Sequence, residues 1–372
     1  MNDSQKVHWL RLCRSENIGK STFFRLIEVF KTPQNALKNL PDFAASGGLK
    51  RKIDICSEEK AEKELKNTED FGAQILTFSD ENYPRLLRDI SDPSPILTVK
   101  GDINFFNNDT IAIVGPRNAS FNAIALAKNV ALELGQHSVT TVSGLARGID
   151  GAAHEASILS GTIAVIGGGI DHVYPRENAN LFRLVAENGL IVSENPFGAS
   201  PKGGHFIQRN RIISGLSYGV IIVEAGLRSG SLTTARFAKE QGREIFSVPG
   251  SPFDPRCQGA NRLIKDGARM FESIDDILEE LPALRARFSE TGIMREPESD
   301  AFKGPEIKMP SDVEIKEVRE IIISKLSMTP TPIDTIIREI GAPIRVINIA
   351  LIQLELTDKI EAKGGMVALK LV

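Results

Sequence analysis

Between residues 106 and 281 short apolar runs alternate with stretches of helical periodicity, and this alternation restricts the fold more than any other feature of the chain. The runs are Ile111–Val114, Val139–Val142, Thr162–Ile166, Leu190–Ser193, Gly219–Val223 and Glu244–Val248. Between them lie segments such as Ala123–Leu134 and Ala179–Glu187, with apolar residues at helical spacing. A strand that is apolar on both sides must be covered on both sides. A helix between two strands returns the chain to begin the next strand in parallel. The expectation is an α/β, Rossmann-like core around a parallel sheet. Ligands of such sheets bind beyond the carboxyl ends of the strands. Glycine-rich turns fall there: Gly115-Pro-Arg117, Ser143–Asp150, Gly167–Asp171 and Ser229-Gly-Ser231.

At 372 residues the chain is too long for one ordinary core. Residues 1–75 read as a helical domain, because Val7–Cys13 and Phe23–Phe30 carry apolar residues at helical spacing around a hairpin at Ser15–Thr22. Gly19-Lys20-Ser21 is not a Walker loop, since Arg14 stands where that loop needs glycine. Residues 76–281 form the core. Four prolines punctuate the charged stretch 282–312, which reads as a linker. In residues 313–372, helices at Val313–Leu326, Ile333–Ile340 and Ile344–Leu356 and a hairpin around Gly364-Gly365 predict a winged helix.

Net charge is −3, so the chain as a whole has no basic coat. Locally the balance reverses. From Lys202 to Arg236 there are five Lys/Arg (202, 209, 211, 228, 236) and one acid, Glu224. Basic side chains beside backbone N–H groups at helix starts suit phosphate. Arg117, Arg209 and Arg211 are therefore expected to contact phosphate, with Asn210 between the latter two and Ser229-Gly230-Ser231 opening a helix beside them. Arg147, Arg176, Lys202 and Lys265 are further candidates. Cys13, Cys56 and Cys257 have no paired spacing and predict neither disulfide nor zinc site. The absence of a membrane-length apolar run and of a signal-peptide pattern predicts a cytoplasmic protein.

Other motifs dissolve on inspection. A dinucleotide fingerprint at Gly167-Gly168-Gly169 needs another glycine at His172, so no cofactor is expected. Gly215-Leu-Ser217-Tyr-Gly219 has the spacing of a hydrolase nucleophile elbow but lies helix-before-strand, the reverse of that motif's context. Asp150 and His154, four apart, read as a loop-orienting carboxylate with an imidazole packed beneath it. Asp171, Glu194 and Glu224 near strand ends leave a carboxylate site open.

The chain resembles the DNA-processing protein A (Smf) family. The matching words include Ile113-Val-Gly-Pro-Arg117, Val142–Asp150, Gly168–Pro175, Arg209–Leu216, Ser229–Ala235, Val248-Pro-Gly250 and Gly259–Ala268. The resemblance implies a non-enzymatic single-stranded DNA-binding protein that dimerises, protects incoming DNA and loads a RecA-type recombinase during natural transformation. It also implies a sterile-alpha-motif-like N-terminal domain. It places DNA contacts at Arg117, Arg176, Lys202, Arg209, Arg211 and Lys265. The dimer surface is expected around Met270–Leu281, an amphipathic segment. The competing reading is a nucleotide-cleaving enzyme of the lysine-decarboxylase-like Rossmann superfamily.

Overall fold

The computed structural model describes residues 1–47, 51–289, 310–363 and 365–370. They fall into two compact units, one joining the N-terminal helices to the C-terminal domain and one built on the sheet. In the first, α1 (Asp3–Cys13), α2 (Lys20–Phe30) and α3 (Pro33–Ser46) enclose Trp9, Leu10, Leu12, Phe23, Leu26 and Leu40. Asn2 and Gln5 form a reciprocal capping box at the start of α1. Thr32 caps α3, with Pro33 at its first position. Arg14 ion-pairs at 2.8 Å with Glu64 of α4 (Glu58–Asp70). Burial pushes the neighbouring Cys13 thiol up to about 12, so this cysteine is inert packing.

The second unit opens with β1 (Gln74–Thr77), α5 (Arg85–Arg88) and β2 (Ile96–Gly101). The alternation follows: β3 (Asp109–Val114), α6 (Phe121–Gln136), β4 (Val139–Ser143), α7 (Ile149–Ser157), β5 (Thr162–Val165), α8 (Ala179–Asn188) and β6 (Leu190–Ser193). It continues as α9 (Gly203–Gly215), β7 (Gly219–Ile222), α10 (Ser231–Glu240), β8 (Glu244–Ser247), α11 (Gln258–Lys265), β9 (Arg269–Met270) and α12 (Asp275–Ser289). The nine strands lie in the order β1-β2-β6-β5-β4-β3-β7-β8-β9. From β6 to β9 all neighbours pair in parallel, and β2 joins antiparallel to β6. The chain therefore runs outward from β3 in one direction through β6, then restarts on the other side of β3 at β7. That reversal makes β3 and β7 the switch point of the sheet. β3, β4, β6 and β7 are buried almost throughout, which fits their unbroken apolar runs.

α12 extends the core further than periodicity suggested. It continues through Pro282 to Ser289, because Ile277, Leu281, Leu284 and Phe288 are all buried along it. The rest of the expected linker lies outside the described residues. Of the apolar residues on the expected dimer surface, Phe271, Ile277 and Leu281 join the core cluster with α6 and α7, Ile274 and Leu278 are half-buried, and Met270 is exposed.

The C-terminal part of the first unit contains α13 (Asp312–Lys325), β10 (Thr331–Pro332), α14 (Ile333–Ile340), α15 (Ile344–Leu356), β11 (Ile360–Lys363) and β12 (Met366–Leu369). The strands form an antiparallel sheet in the order β10-β12-β11. This is the winged helix. α15, where such a domain would carry its groove-reading helix, is buried at nine positions, from Val346 to Leu356. It packs on α13 and on α2 and α3. No helix among the described residues is long and apolar enough to cross a membrane.

Candidate nucleic-acid interface

At the carboxyl edge of the sheet, four segments meet in a shallow cleft. The turn after β3 brings Arg117, the loop after β4 brings Gly144, Ala146 and Arg147, the segment before α8 brings Tyr174 and Pro175, and α9 brings Phe206 and Arg209. Three guanidiniums and two aromatic rings thus share one concavity. The Arg117 guanidinium lies 5.2 Å from the Phe206 ring centroid, and that ring lies 5.1 Å from Tyr174. Arg117 stays exposed while its position is fixed by the ring beneath it.

Arg209 forms the floor. Only 5% exposed, it donates from Nη2 to the Gly144 carbonyl at 2.8 Å. A Cβ on Gly144 would stand 1.5 Å from Arg209 Nη1, so glycine is required for the guanidinium to lie against the backbone. The buried Nε–H of Arg209 finds no acceptor among the described residues. A buried donor without a partner at the base of a cationic cleft is a position for an anion.

The loop that carries Gly144 is held from below. Asp150 accepts from the Ala146 N–H at 3.4 Å, and burial raises its pKa against the opposing pull of Arg209. His154 is fully buried and accepts from the Leu145 N–H at 3.3 Å through Nε2. Its Nδ1 therefore carries the proton and donates to Thr162 Oγ1 at 2.8 Å, whose hydroxyl donates to the Thr141 carbonyl at 2.9 Å. Burial, then Arg209, depresses the His154 pKa to about 3, so the ring is neutral. Asn178 clamps the Leu145 and Ala146 carbonyls from α8's side at 2.9 and 3.1 Å. Leu145 is held in a left-handed conformation at φ 56° and is buried. Asp150 and His154 are thus a positioning pair, as their spacing suggested.

The second part of the edge is the start of α10. Ser229 and Ser231 share a hydroxyl hydrogen bond of 2.7 Å, and Asn210 Nδ2 donates to the Gly230 carbonyl at 3.5 Å. Asn210 follows Arg209 on α9, so one helix touches both the arginine cleft and this turn.

Arg211 requires a correction. It was expected at phosphate, but it is 2% exposed and turned inward. It ion-pairs with Glu194 and with Asp92, the latter at 3.2 Å, and donates to the Asp92 carbonyl at 2.7 Å. Two residues along a helix rotate a side chain by about 200°, so Arg209 and Arg211 face opposite ways. The glycine run at 167–169 is also committed internally: Ser193 and Asn195 donate to the carbonyls of Gly168 and Gly167, at 2.6 and 3.1 Å. The three carboxylates left open by the sequence all have structural partners. Glu194 holds Arg211, Asp171 accepts from the Gly198 N–H at 2.8 Å, and Glu224 accepts from the Ser120 N–H at 3.0 Å. Arg176 is exposed immediately after Pro175, and Lys202 is exposed at the start of α9. Lys265 is exposed at the end of α11 and is not among the residues that line the cleft.

The family model described as DNA recombination-mediator protein A matches residues 74–282. The chain belongs to that family. A DprA-like N-terminal HHH domain model matches residues 3–67, and a DprA winged helix domain model matches 308–366. Among relatives, the chain is 44% identical over 222 residues to the DNA processing protein DprA of Bacillus subtilis (strain 168), covering 59% of this chain and 75% of that one. Among solved structures, it is similar to DNA processing protein A from Streptococcus pneumoniae, with a TM-score of 0.63, 30% identity, and coverage of 75% of this chain and 98% of that one. It is also similar to DNA processing protein A from Helicobacter pylori, whose structure is described as giving insight into a unique single-stranded DNA binding mode. There the TM-score is 0.53 and identity 30%, covering 57% of this chain and 96% of the other.

Two residues of the cleft escaped the sequence reading: Tyr174 and Phe206. Aromatics looked sparse near the rim because the two lie 32 positions apart in sequence, and only the fold joins them. The available signal was local. Phe206 sits three residues before Arg209, one helical turn away on the same face.

Proposed function

We propose that this chain binds single-stranded DNA along the carboxyl edge of its sheet and mediates its transfer to a RecA-type recombinase, as in natural transformation. The observation that carries the reading is the convergence of Arg117, Arg147 and Arg209 with Phe206 and Tyr174 in one cleft. The guanidiniums suit phosphates and the rings suit unpaired bases, a combination that selects a single strand over a duplex whose bases are stacked away. The reading as a nucleotide-cleaving enzyme needs a carboxylate free to work, and Asp171, Glu194 and Glu224 are engaged in holding loops. The role is that of a binding protein without a catalytic step. It acts in the cytoplasm, where the strand and the recombinase meet, as a homodimer.

The test is a salt titration of oligonucleotide affinity. If two to four phosphates are engaged, log affinity falls against log salt with a slope of roughly −0.7 per phosphate. Phe206→Ala weakens binding by about 1–3 kcal/mol, as for a lost base stack, without altering that slope. Equal affinity for duplex and single strand across the titration defeats the proposal. Sedimentation of a monomer alone at tens of micromolar removes the dimer.

A further inference from the structure

Past the arginine cleft, the same edge of the sheet carries a second set of exposed side chains. Phe121 and Phe253 are each 92% exposed, and among the described residues they are the two exposed phenylalanines. Leu227 is 56% exposed beside them in the chain's folding, and Arg228 is exposed and makes no ion pair among the described residues. These residues come from three connections, those after β3, β7 and β8, which are neighbouring strands in the sheet, with Phe121 as the first residue of α6.

The loops touch one another. The buried Glu224 carboxylate takes the Ser120 N–H at 3.0 Å, next to Phe121, and lies 3.9 Å from Arg256 Nε. Arg256 is in turn paired at 2.7 Å with Asp254, next to Phe253. A Cβ on Gly226 would stand 3.2 Å from the Pro255 carbonyl, so the loop holding Leu227 and Arg228 lies directly against the loop holding Phe253. Glu224 thus ties together the bases of loops whose apolar tips point outward. A ring left almost wholly in water, twice, on one edge, forfeits burial that the core gives every other described phenylalanine in some degree.

We infer that the single-stranded DNA track continues from the arginine cleft across the switch point of the sheet, with Phe121 and Phe253 as stacking platforms for successive bases and Arg228 as a phosphate contact between them. The inference rests on the single-strand reading above and extends it to a second subsite. Continuity supports this occupant. Phe121 opens α6 directly after the loop that carries Arg117, so a strand leaving the cleft on that side meets Phe121 next. Asn210, adjacent to Arg209, reaches the Gly230 carbonyl on the turn that carries Arg228. The crevice between β3 and β7 is where opposed loops open the sheet edge to ligand. From β4 to β8 the edge spans three strand intervals, about 15 Å, and is followed by one extended strand without leaving the surface. Exposed rings are sequence-tolerant platforms, because every base has a face to stack.

The full-length protein and its Phe121→Ala/Phe253→Ala variant are compared by fluorescence anisotropy on oligo-dT of 6 and 30 nucleotides. Both rings are solvent-exposed, so truncation leaves the core intact. The expected result is at least tenfold weaker binding of the 30-mer and also of the 6-mer, which at about 3.4 Å per nucleotide even when stacked is long enough to cover both subsites. Phe→Trp at both positions restores the 30-mer affinity, and Phe→Leu does not. Equal 30-mer affinity of the wild type and the alanine variant overturns the second subsite while leaving the cleft reading intact. A wild type that binds neither oligonucleotide defeats the functional reading itself, and the extension with it. An alanine variant with altered sedimentation and unaltered DNA affinity assigns the patch to a protein partner and also overturns the inference.

Discussion

Arg209 and Arg211 show how little the identity of a side chain says until its direction is known. Both are buried, yet one floors an anion-ready cleft and the other neutralises Glu194, itself 7% exposed at the side chain. Arg117→Ala should therefore lower single-strand affinity by about 1.5–3 kcal/mol, as for a charge-assisted hydrogen bond, with no change in melting temperature. Arg211→Ala should do the reverse at first sight: it strands a buried carboxylate, costing about 3–5 kcal/mol of stability. Any binding loss then tracks unfolding, and parallel thermal melts and binding titrations separate the two cases. A stable Arg211→Ala protein that has lost DNA affinity contradicts this assignment. His154 adds a pH signature. Its folded pKa of about 3 lies below the unfolded value near 6.5, so the unfolded chain takes up the proton first. The stability it contributes is complete above pH 6.5 and is lost as pH falls toward 3. At pH 5 the loss amounts to about 2 kcal/mol, from 1.36 kcal/mol per unit. Asp150, with its pKa raised by burial, acts in the opposite sense over acidic pH. The comparison that isolates His154 is urea unfolding of wild type and His154→Gln at pH 7 and pH 5. The wild type should lose about 2 kcal/mol more than the variant between the two, and parallel losses would refute the buried neutral imidazole.

At the scale of elements, the site depends on loops whose shape only particular backbones permit. Gly144 is the clearest case, since a methyl group there collides with the Arg209 guanidinium. Gly144→Ala should displace Arg209, lowering single-strand affinity as far as Arg209→Ala does, at a stability cost of about 1–3 kcal/mol for overpacking. The double variant should bind no worse than the poorer single one, because both remove the same contact. Additive losses would mean that Gly144 acts on DNA by another route. Gly148 is a second fixed point, with φ at 75° and the Pro116 carbonyl 2.3 Å from where a Cβ would be. The sequence made such elements legible to different depths. The six apolar runs all became strands, because a buried parallel strand needs an unbroken apolar run. The two-residue β9 left no periodicity to read, and the turn at 167–169 looked ligand-facing because composition does not reveal which way a carbonyl points. Pro282 suggested a linker, yet Leu281 and Leu284 are buried on either side of it and the helix continues. Of the rim arginines, Arg209 was visible as local charge and Arg117 and Arg147 by their place in glycine-rich turns. The aromatic half of the cleft was not, because Tyr174 and Phe206 meet only when β5 and α9 are packed in three dimensions.

At the scale of the whole molecule, the winged helix packs its α15 against other helices of its own unit. Residues 311–372 carry a net charge of −1 (eight Lys/Arg, nine Asp/Glu), which offers a duplex no electrostatic footprint. Within the unit, α15 packs on the N-terminal helices α2 and α3. Arg25 of α2 pairs with Glu355 at 3.4 Å in a half-shielded setting, and Asn17 Nδ2 donates to the Leu356 carbonyl at 3.2 Å. Arg319 donates to the Ser46 carbonyl at 2.6 Å and to Gln353 Oε1 at 3.2 Å, and a Cβ on Gly47 would meet the Gln353 Cβ at 3.0 Å. Gln353 and most of α15 are thereby withdrawn from any groove, leaving Arg345 as its exposed cation. A recognition helix needs several basic and amide side chains on one open face, and α15 no longer has such a face. Removing residues 311–372 should therefore act on the N-terminal helices first. Each large apolar side chain uncovered on α2 or α3 loses about 1.5–3 kcal/mol of burial, so amide exchange in those helices should accelerate. Single-strand affinity should stay within threefold, less than the roughly 1 kcal/mol that one hydrogen bond contributes. The charge-reversed pair Arg25→Glu/Glu355→Arg should recover most of the stability that either reversal alone removes, since the two side chains face each other in a partly desolvated contact. A tenfold loss of single-strand affinity on deletion, with the core still folded, would show that the winged helix contacts DNA despite its buried helix.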